Sequence, residues 1–442
     1  MSRILLVGVG PLAIDPQAAS GPHFRTTLFW QCLHGAGHEL FLASLGDEHA
    51  NGLSEEPLPG GGVMRQFSPA MMLDVKPVRD WAVQLHVNAL IGVGTIMPAS
   101  TAAQLNDVAP VWIDLAGDPI AEVQSKAEAY PEQNCDALLA HVTRLTEICL
   151  RGGDCFSGVS HAQSHAMVGQ LALLGRLNAR TAGQVMVHKL PNGACPRLPA
   201  PAAGAPLFRG VDCPRDAFLV AWSGSYNTWM DEDLLYRGLI AAMQRDERIH
   251  FVSTGGGAEG YNEGIYGRFR QHVESGLYRE RFHLLGWIAR DRAEAIHAEC
   301  DIGLNIDRWC YEGILGARNR IVSLLSLGLP VATTVLAEVS RELVQAGGAF
   351  EIPLGHSAAM ADLLVKLSAQ PQQLSESLQR GRKWLARNDF QAFARPLLDW
   401  AEKPVHAGDY APASATAPAL PTSFSQRLMR KMRCIKECLG RA

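Results

Sequence analysis

The chain has 442 residues, enough for two or three domains at about 150 residues each. Hydrophobic residues make up 47% and charged residues 19%, the balance of an ordinary globular protein, which excludes wholesale disorder. The formal net charge of -4, from 40 basic and 44 acidic side chains, excludes a globally basic body for neutralising nucleic-acid phosphates, so no nucleic-acid partner is expected.

The chain opens on Arg3-Ile4-Leu5-Leu6-Val7-Gly8-Val9-Gly10-Pro11. Gly8, Gly10 and Pro11 break the apolar run early, so it reads as a buried first strand rather than a targeting segment. Gly8-Val9-Gly10 begins like a dinucleotide fingerprint, but Ala13 stands where the third glycine belongs and Pro11 disturbs the helix start. No nicotinamide cofactor is expected. Further strands are predicted at Glu39–Ala43, Leu90–Val93, Val111–Ile113, Cys155–Val159 and Gln184–His188. Helical patterns lie between them at Phe24–His34, Val78–Leu85, Ile120–Cys149 and His161–Leu177. The strand runs are continuously apolar, as parallel strands buried on both faces should be.

Residues 191–214 carry six prolines and three glycines and read as an interdomain linker. A second series of strands follows at Phe218–Trp222, Ile249–Ser253, Phe282–Leu285, Ile302–Asn305 and Pro330–Thr333, each trailed by a helical pattern. The fold class is therefore α/β, with two doubly wound, Rossmann-like domains facing a cleft. The expected division is 1–190, linker 191–214, 215–375, a C-terminal helix at 376–403, a flexible tether at 404–421 and a basic amphipathic helix at 422–442. In that last segment Phe424, Leu428, Met432, Ile435 and Leu439 share one helical face, and six basic residues stand against Glu437. An anionic membrane surface is its expected partner; the alternative is docking on the protein's own acidic body or on another protein.

Ten cysteines form no C-x-x-C pair and no repeated spacing, and no apolar run reaches the roughly 18 residues of a membrane span. A cytoplasmic protein, peripheral at the membrane at most, is the expectation. His161 and His165 share a helical face without a third ligand, so no metal site is expected and a polar helix start lining the cleft is.

The densest chemistry lies between Asp301 and Glu338. Glu312-Gly313 and Gly316-Ala317 place backbone N–H groups at a helix start, an anion site by its dipole. Arg318 and Arg320, flanking Asn319, add forked donors suited to phosphate, or else they pair structurally with Asp307 or Glu312. This stretch resembles the C-terminal half of retaining, nucleotide-sugar-dependent glycosyltransferases of the GT-B fold, family 4. Glu312-Gly313 matches that family's first acid, which contacts donor-sugar hydroxyls, and Gly328-Leu329-Pro330-Val331-Ala332-Thr333 matches its second element. Ser323 stands where the second acid is expected, and Ser225–Asp231 replaces the family's Arg and Lys that hold the diphosphate. Thr254-Gly255-Gly256-Gly257 and Leu285-Gly286-Trp287-Ile288 match in order.

The resemblance implies a hexosyltransferase without a resident cofactor or obligatory metal, with a nucleotide sugar as co-substrate and a glycan or lipid-linked acceptor of cell-envelope polysaccharide biosynthesis. Glu312 and Asp114 are the catalytic candidates, Asp114 having an equally open structural reading. Gly224, Gly256, Gly313, Arg318, Asn319, Arg320 and Glu338 are the donor-binding candidates. Gly21, His23 and Arg25 are placed on the acceptor or phosphate side. For Asp118, before Pro119, a helix cap is favoured. The same cleft would also serve a GT-B epimerase or phosphorylase, and Ser323 with the missing Arg/Lys pair keeps open a non-catalytic scaffold that binds a glycan or a partner.

Overall fold

The computed structural model describes residues 1–13, 20–193, 206–257 and 262–411. Its first sheet comprises β1 (Arg3–Gly8), β2 (Glu39–Leu45), β3 (Asn51–Pro57), β4 (Val63–Phe67), β5 (Ala89–Gly92), β6 (Val111–Leu115), β7 (Cys155–Gly158) and β8 (Val187–Lys189). The strand order is β3-β4-β2-β1-β5-β6-β7-β8. All neighbours pair in parallel except β3, which lies antiparallel on β4 at the edge. Ile4, Leu5, Leu6 and Val7 of β1 are all fully buried, which explains an apolar run without alternation.

The second sheet comprises β9 (Phe218–Ser223), β10 (Ile249–Thr254), β11 (Phe282–Leu284), β12 (Ile302–Asn305), β13 (Val331–Thr334) and β14 (Phe350–Ile352). It is wholly parallel in the order β11-β10-β9-β12-β13-β14. In both sheets the winding reverses beside the first strand, between β1 and β5 and between β9 and β12. Such switch points open a crevice at the carboxyl ends of the strands.

Sequence reading missed β3, β4 and β14. β3 is a largely exposed edge, and its partner β4 turns Arg65 and Gln66 toward Glu55 and Glu56, so cross-strand polar pairs replace the apolar signal. The long helix predicted over Ile120–Cys149 is two, Pro119–Ala129 and Asp136–Gly152. Pro131 disfavours helical backbone at Tyr130. The Tyr130 ring enters the hydrophobic core of the second sheet, and its hydroxyl accepts the Ile265 N–H at 3.1 Å.

The helical pattern predicted over Gln379–Trp400 is likewise broken, into Pro371–Arg387, Phe390–Phe393 and Arg395–Glu402. The last two pack back on the first sheet, where Phe390, Leu397 and Trp400 join the core of Leu6, Phe29 and Trp112. Residues 404–411, read from composition as tether, lie along the first unit: Asp154 accepts the Ala407 N–H at 2.8 Å, and Asp409 pairs with Arg176 at 2.7 Å. The remaining tether and the stripe 424–441 lie outside the described residues. Among the described residues no helix is long and apolar enough to cross a membrane.

Candidate active site

Two helices begin at the carboxyl ends of the two sheets and point their N-termini at one another. Gly21–Gly35 starts after β1 with Pro22 in its first turn, and Asn319–Leu327 starts after β12. A Cβ on Gly21 would lie 3.0 Å from Asn319 Nδ2, so the absent side chain allows the close approach. Asn192, from the chain segment after β8, donates to Asn319 Oδ1. Gly21, Arg25, Asn192, Asn319 and Ser323 line a narrow crevice between the sheets. Two helix starts aimed at one crevice favour an anion there through their dipoles.

Beside it, Arg318 is 4% exposed and lies between two buried carboxylates. Its Nε donates to Asp307 at 2.8 Å and its Nη2 to Glu312 at 2.8 Å. The structural pairing open to Arg318 in the sequence is therefore made. Burial works against the Arg318 charge, but Asp307 and Glu312 outweigh it and hold the guanidinium protonated. One guanidinium cannot neutralise two carboxylates, and burial pushes Glu312 up to about 8 in spite of Arg318. Burial thus shifts Glu312 toward its protonated form near neutral pH, while both of its oxygens accept from Arg318. The Gly313 N–H is occupied by Cys310 Sγ at 3.2 Å.

Arg320 takes a different position. Its Nε donates to the Ser223 carbonyl at 2.6 Å and its Nη2 to the Ser225 carbonyl at 2.7 Å. Its guanidinium lies 3.6 Å over the Trp222 ring. The helix after β12 thus delivers a cation to the carboxyl end of β9, where the local sequence Ser225–Asp231 has none. Burial lowers Arg320 to about 10. At this strand end a Cβ on Gly255 would lie 2.2 Å from the Gly224 carbonyl oxygen, and Gly224 has φ +78. Only glycine lets the two backbones meet so closely. Gly256 accepts the Tyr226 N–H at 3.2 Å, and Trp287 Nε1 donates to Gly257 at 3.0 Å, bracing the glycine turn.

The first unit's candidates separate into two groups. Arg25 and Asp114 form a fully buried bidentate pair at 2.8 and 2.7 Å, and Ser157 Oγ donates to Asp114 at 2.6 Å. The remaining Arg25 donors go to the carbonyls of Leu190 and Pro191 and to Asn192 Oδ1, and its plane lies between Phe29 and Phe390. Both oxygens of Asp114 are taken up, so its carboxylate is not presented to the cleft. The pair instead ties the helix Gly21–Gly35, β6 and the interdomain crossing together. His23 Nδ1 is shared with Ser20 Oγ at 2.5 Å, at the helix start itself.

Glu338 is engaged by the first unit. It accepts Lys189 Nζ at 2.7 Å, His161 Nδ1 at 3.0 Å and the His161 N–H at 2.9 Å. Burial pushes its carboxyl up, but Lys189 and His161 outweigh this and hold it below the ordinary range. It is a latch between the units, on the wall of a second pocket enclosing about 450 Å³, partly open to solvent, between Ser160, Asn192 and Gly316–Arg318. His161 and His165 lie 6.4 Å apart by ring centroid, and no group of three metal-ligating side chains occurs among the described residues.

Sequence reading missed Glu122. Asp118 caps its helix through the Ala121 N–H at 2.8 Å, the cap reading favoured from Pro119. That helix packs on Tyr311–Leu315 across the cleft, with Ser125 Oγ and Thr228 Oγ1 2.8 Å apart and Arg308 Nη2 donating to the Ser125 carbonyl at 2.9 Å. Glu122 keeps some surface exposure, yet enclosure by the cleft raises it to about 7, with Lys126 opposing, and its charge in turn raises Glu312. An acid in a first helical turn reads from sequence only as a complement to the dipole. The site therefore holds two carboxyls with raised pKa, one from each unit.

The chain is similar over 91% of its length to several solved structures. Sucrose-phosphate synthase from Thermosynechococcus elongatus superposes with a TM-score of 0.65 at 16% identity, covering 91% of this chain and 98% of that one. The α,α-trehalose-phosphate synthase (UDP-forming) from Burkholderia vietnamiensis gives 0.64 at 14% identity, covering 91% and 99%. The chain has the GT-B fold. Anabaena HepE, solved in complex with UDP and glucose, is a third GT-B structure of this kind, at a TM-score of 0.59 and 14% identity over 91% of this chain and 100% of that one. No protein-family profile and no curated protein sequence matches the chain.

Proposed function

We propose that the protein is a nucleotide-sugar-dependent glycosyltransferase that transfers a hexosyl group with retention. The observation that carries this reading is the convergence of the helix starts at Gly21 and Asn319 at the switch points of two GT-B sheets, with Arg320 at the end of β9. The donor diphosphate lies against those N–H groups, and Arg320 substitutes for the basic pair absent after Gly224. Glu312 donates to or accepts from the sugar hydroxyls in the adjacent pocket. In transfer, the acceptor oxygen forms a bond to the anomeric carbon as the bond to phosphate breaks, and the acceptor proton passes to the leaving diphosphate. The fixed dipoles and Arg320 stabilise the charge that develops there. Arg318 is committed to Asp307 and Glu312 and orients the acid.

UDP-sugars are the first donors to test, because HepE was solved with UDP and the trehalose-phosphate synthase is UDP-forming. The acceptor is a cell-envelope or lipid-linked glycan, supported by the basic, amphipathic stretch 424–441, which the protein uses to associate peripherally with an anionic membrane. A second reading, a GT-B scaffold without turnover, is favoured by Ser323 and by the engagement of both Glu312 oxygens with Arg318. Incubation with a panel of UDP- and GDP-sugars, followed by detection of released nucleotide, separates the two. Slow hydrolysis of at least one donor is expected, and nucleotide binding with no turnover of any donor would favour the scaffold.

A further inference from the structure

Among the described residues, Trp309 and Tyr311 are the two most exposed of the Trp, Tyr and Phe side chains, at 59% and 53%. Cys310 between them is buried, its backbone extended at φ -164 and ψ 166, and its Sγ accepts the Gly313 N–H at 3.2 Å. Alternate residues about an extended position share a side, so turning the cysteine cap inward turns both rings outward together. They meet there, with ring centroids 5.6 Å apart and planes at 55°. The next residue is the buried Glu312, so the rings stand one position from the acid assigned to the donor sugar. On their other side Arg308 clamps the segment across the cleft. Its Nη1 pairs with Glu128 at 2.5 Å, its Nη2 donates to the Ser125 carbonyl at 2.9 Å, and its Nε donates to the Thr228 carbonyl at 2.9 Å. The rings are therefore held where the helix Tyr311–Leu315 packs on Pro119–Ala129 of the first unit. The Glu128 side chain is 62% exposed, so a carboxylate tied to the residue before Trp309 stays open to solvent.

We propose that Trp309 and Tyr311 form a stacking platform for a sugar ring of the acceptor, with Glu128 accepting hydrogen bonds from its hydroxyls. The inference rests on the glycosyltransferase reading and assigns the acceptor a subsite and a chemistry, a saccharide of more than one ring. A pyranose presents a face of C–H groups, weakly positive, and an aromatic ring presents an electron-rich face to them. The sugar's hydroxyls lie around its edge and need directional partners, which a carboxylate at the border of the platform supplies. Size argues against a protein partner. Two rings offer at most about 150–250 Å² each, against roughly 800 Å² a side in a stable protein interface, and Arg308 and Glu128 bound them with charge. That area matches one or two sugar rings. The clamp at Arg308 fixes the platform before the ligand arrives, so little ordering is lost on binding. A ring stacked at the mouth leaves the next sugar of the same chain to reach in beside Glu312.

Saturation-transfer NMR titrations of the full-length protein with maltotriose, cellotriose, mannotriose and chitotriose test this. At least one trisaccharide is expected to bind. Trp309→Ala should weaken it about fivefold and W309A/Y311A about tenfold or more, while Trp309→Phe keeps most of the affinity. Melting temperature and UDP affinity should stay at the wild-type values in each. Tyr311 opens a short helix beside Glu312, so where the double variant loses stability the comparison of Trp309→Ala with Trp309→Phe decides. Failure of all four trisaccharides to bind the wild-type protein would overturn the assignment. So would binding that Trp309→Ala leaves intact, or an equal loss of trisaccharide and UDP affinity in that variant. UDP affinity on the same samples keeps failure of the donor reading distinct: trisaccharide binding that depends on Trp309, in a protein that binds no UDP, supports this platform and removes that reading.

Discussion

Glu312 and Arg320 carry the chemistry at the scale of single side chains, and they respond oppositely to substitution. Glu312 has a folded pKa of about 8, raised from 4.5. Between those values the folded protein holds a proton that the unfolded chain has released, so this group costs stability as pH rises through that window. Glu312→Gln removes the titration and leaves Arg318 with Asp307 as a balanced pair. The variant should melt at or above the wild-type temperature at pH 8, with its advantage growing from pH 5 to 8, while donor turnover falls on the order of 100-fold. Differential scanning fluorimetry across that range with a parallel hydrolysis assay checks both; a variant that melts well below wild type at pH 8 would show that the carboxylate is structural. Arg320→Ala removes two charge-assisted hydrogen bonds and the contact with Trp222, so it should lose roughly 2–4 kcal/mol of stability as well as at least tenfold in UDP affinity. Arg320→Lys should regain part of the stability but little of the affinity, because an ammonium lacks the planar fork.

Helices and strands decide where those side chains stand. Replacing Asp114 with Ala leaves the fully buried Arg25 without its partner carboxylate, a loss of about 3–5 kcal/mol, visible as a lower urea midpoint. Loss of turnover at an unchanged midpoint would instead mark Asp114 as a base. Gly21→Val places a branched side chain against Asn319 and should abolish donor binding with little change in melting temperature, since it fills the pocket rather than the core. Much of this was legible in the sequence: the buried parallel strands, both doubly wound units, the cap at Asp118 and the helix starting at Asn319. What was not legible depends on contacts between distant residues. Asp114 and Arg25 are 89 positions apart, and no local pattern shows that one consumes the other. Likewise the missing cation after Gly224 comes from a different helix, and Glu122 acquires its raised pKa chiefly from burial in the folded protein. The strands β3 and β4 escaped because an exposed edge held by one ion pair and a glutamine–glutamate hydrogen bond has no apolar period.

At the scale of the whole molecule, the acidic body and the basic C-terminal segment divide the near-neutral total between two unlike parts, and polar links join the two units across the cleft. Glu338 bridges to Lys189 and His161 from across the cleft. Its pKa is lowered in the folded protein, so the latch contributes fully above the ordinary carboxylate range and is lost as pH falls through the lowered value. Glu338→Gln should increase the radius of gyration of the donor-free protein in small-angle X-ray scattering and weaken donor binding several-fold. An unchanged scattering profile would mean that the remaining contacts, among them those of Tyr130, Ser125 and Arg308, keep the cleft closed without Glu338. The central claim, that this cleft is a nucleotide-sugar site built from two helix starts and Arg320, is tested most directly by titration calorimetry of the intact protein with UDP and GDP. The account predicts saturable binding of at least one nucleotide, weakened at least tenfold by Arg320→Ala and abolished by Gly21→Val. Failure of the intact protein to bind either nucleotide would contradict it.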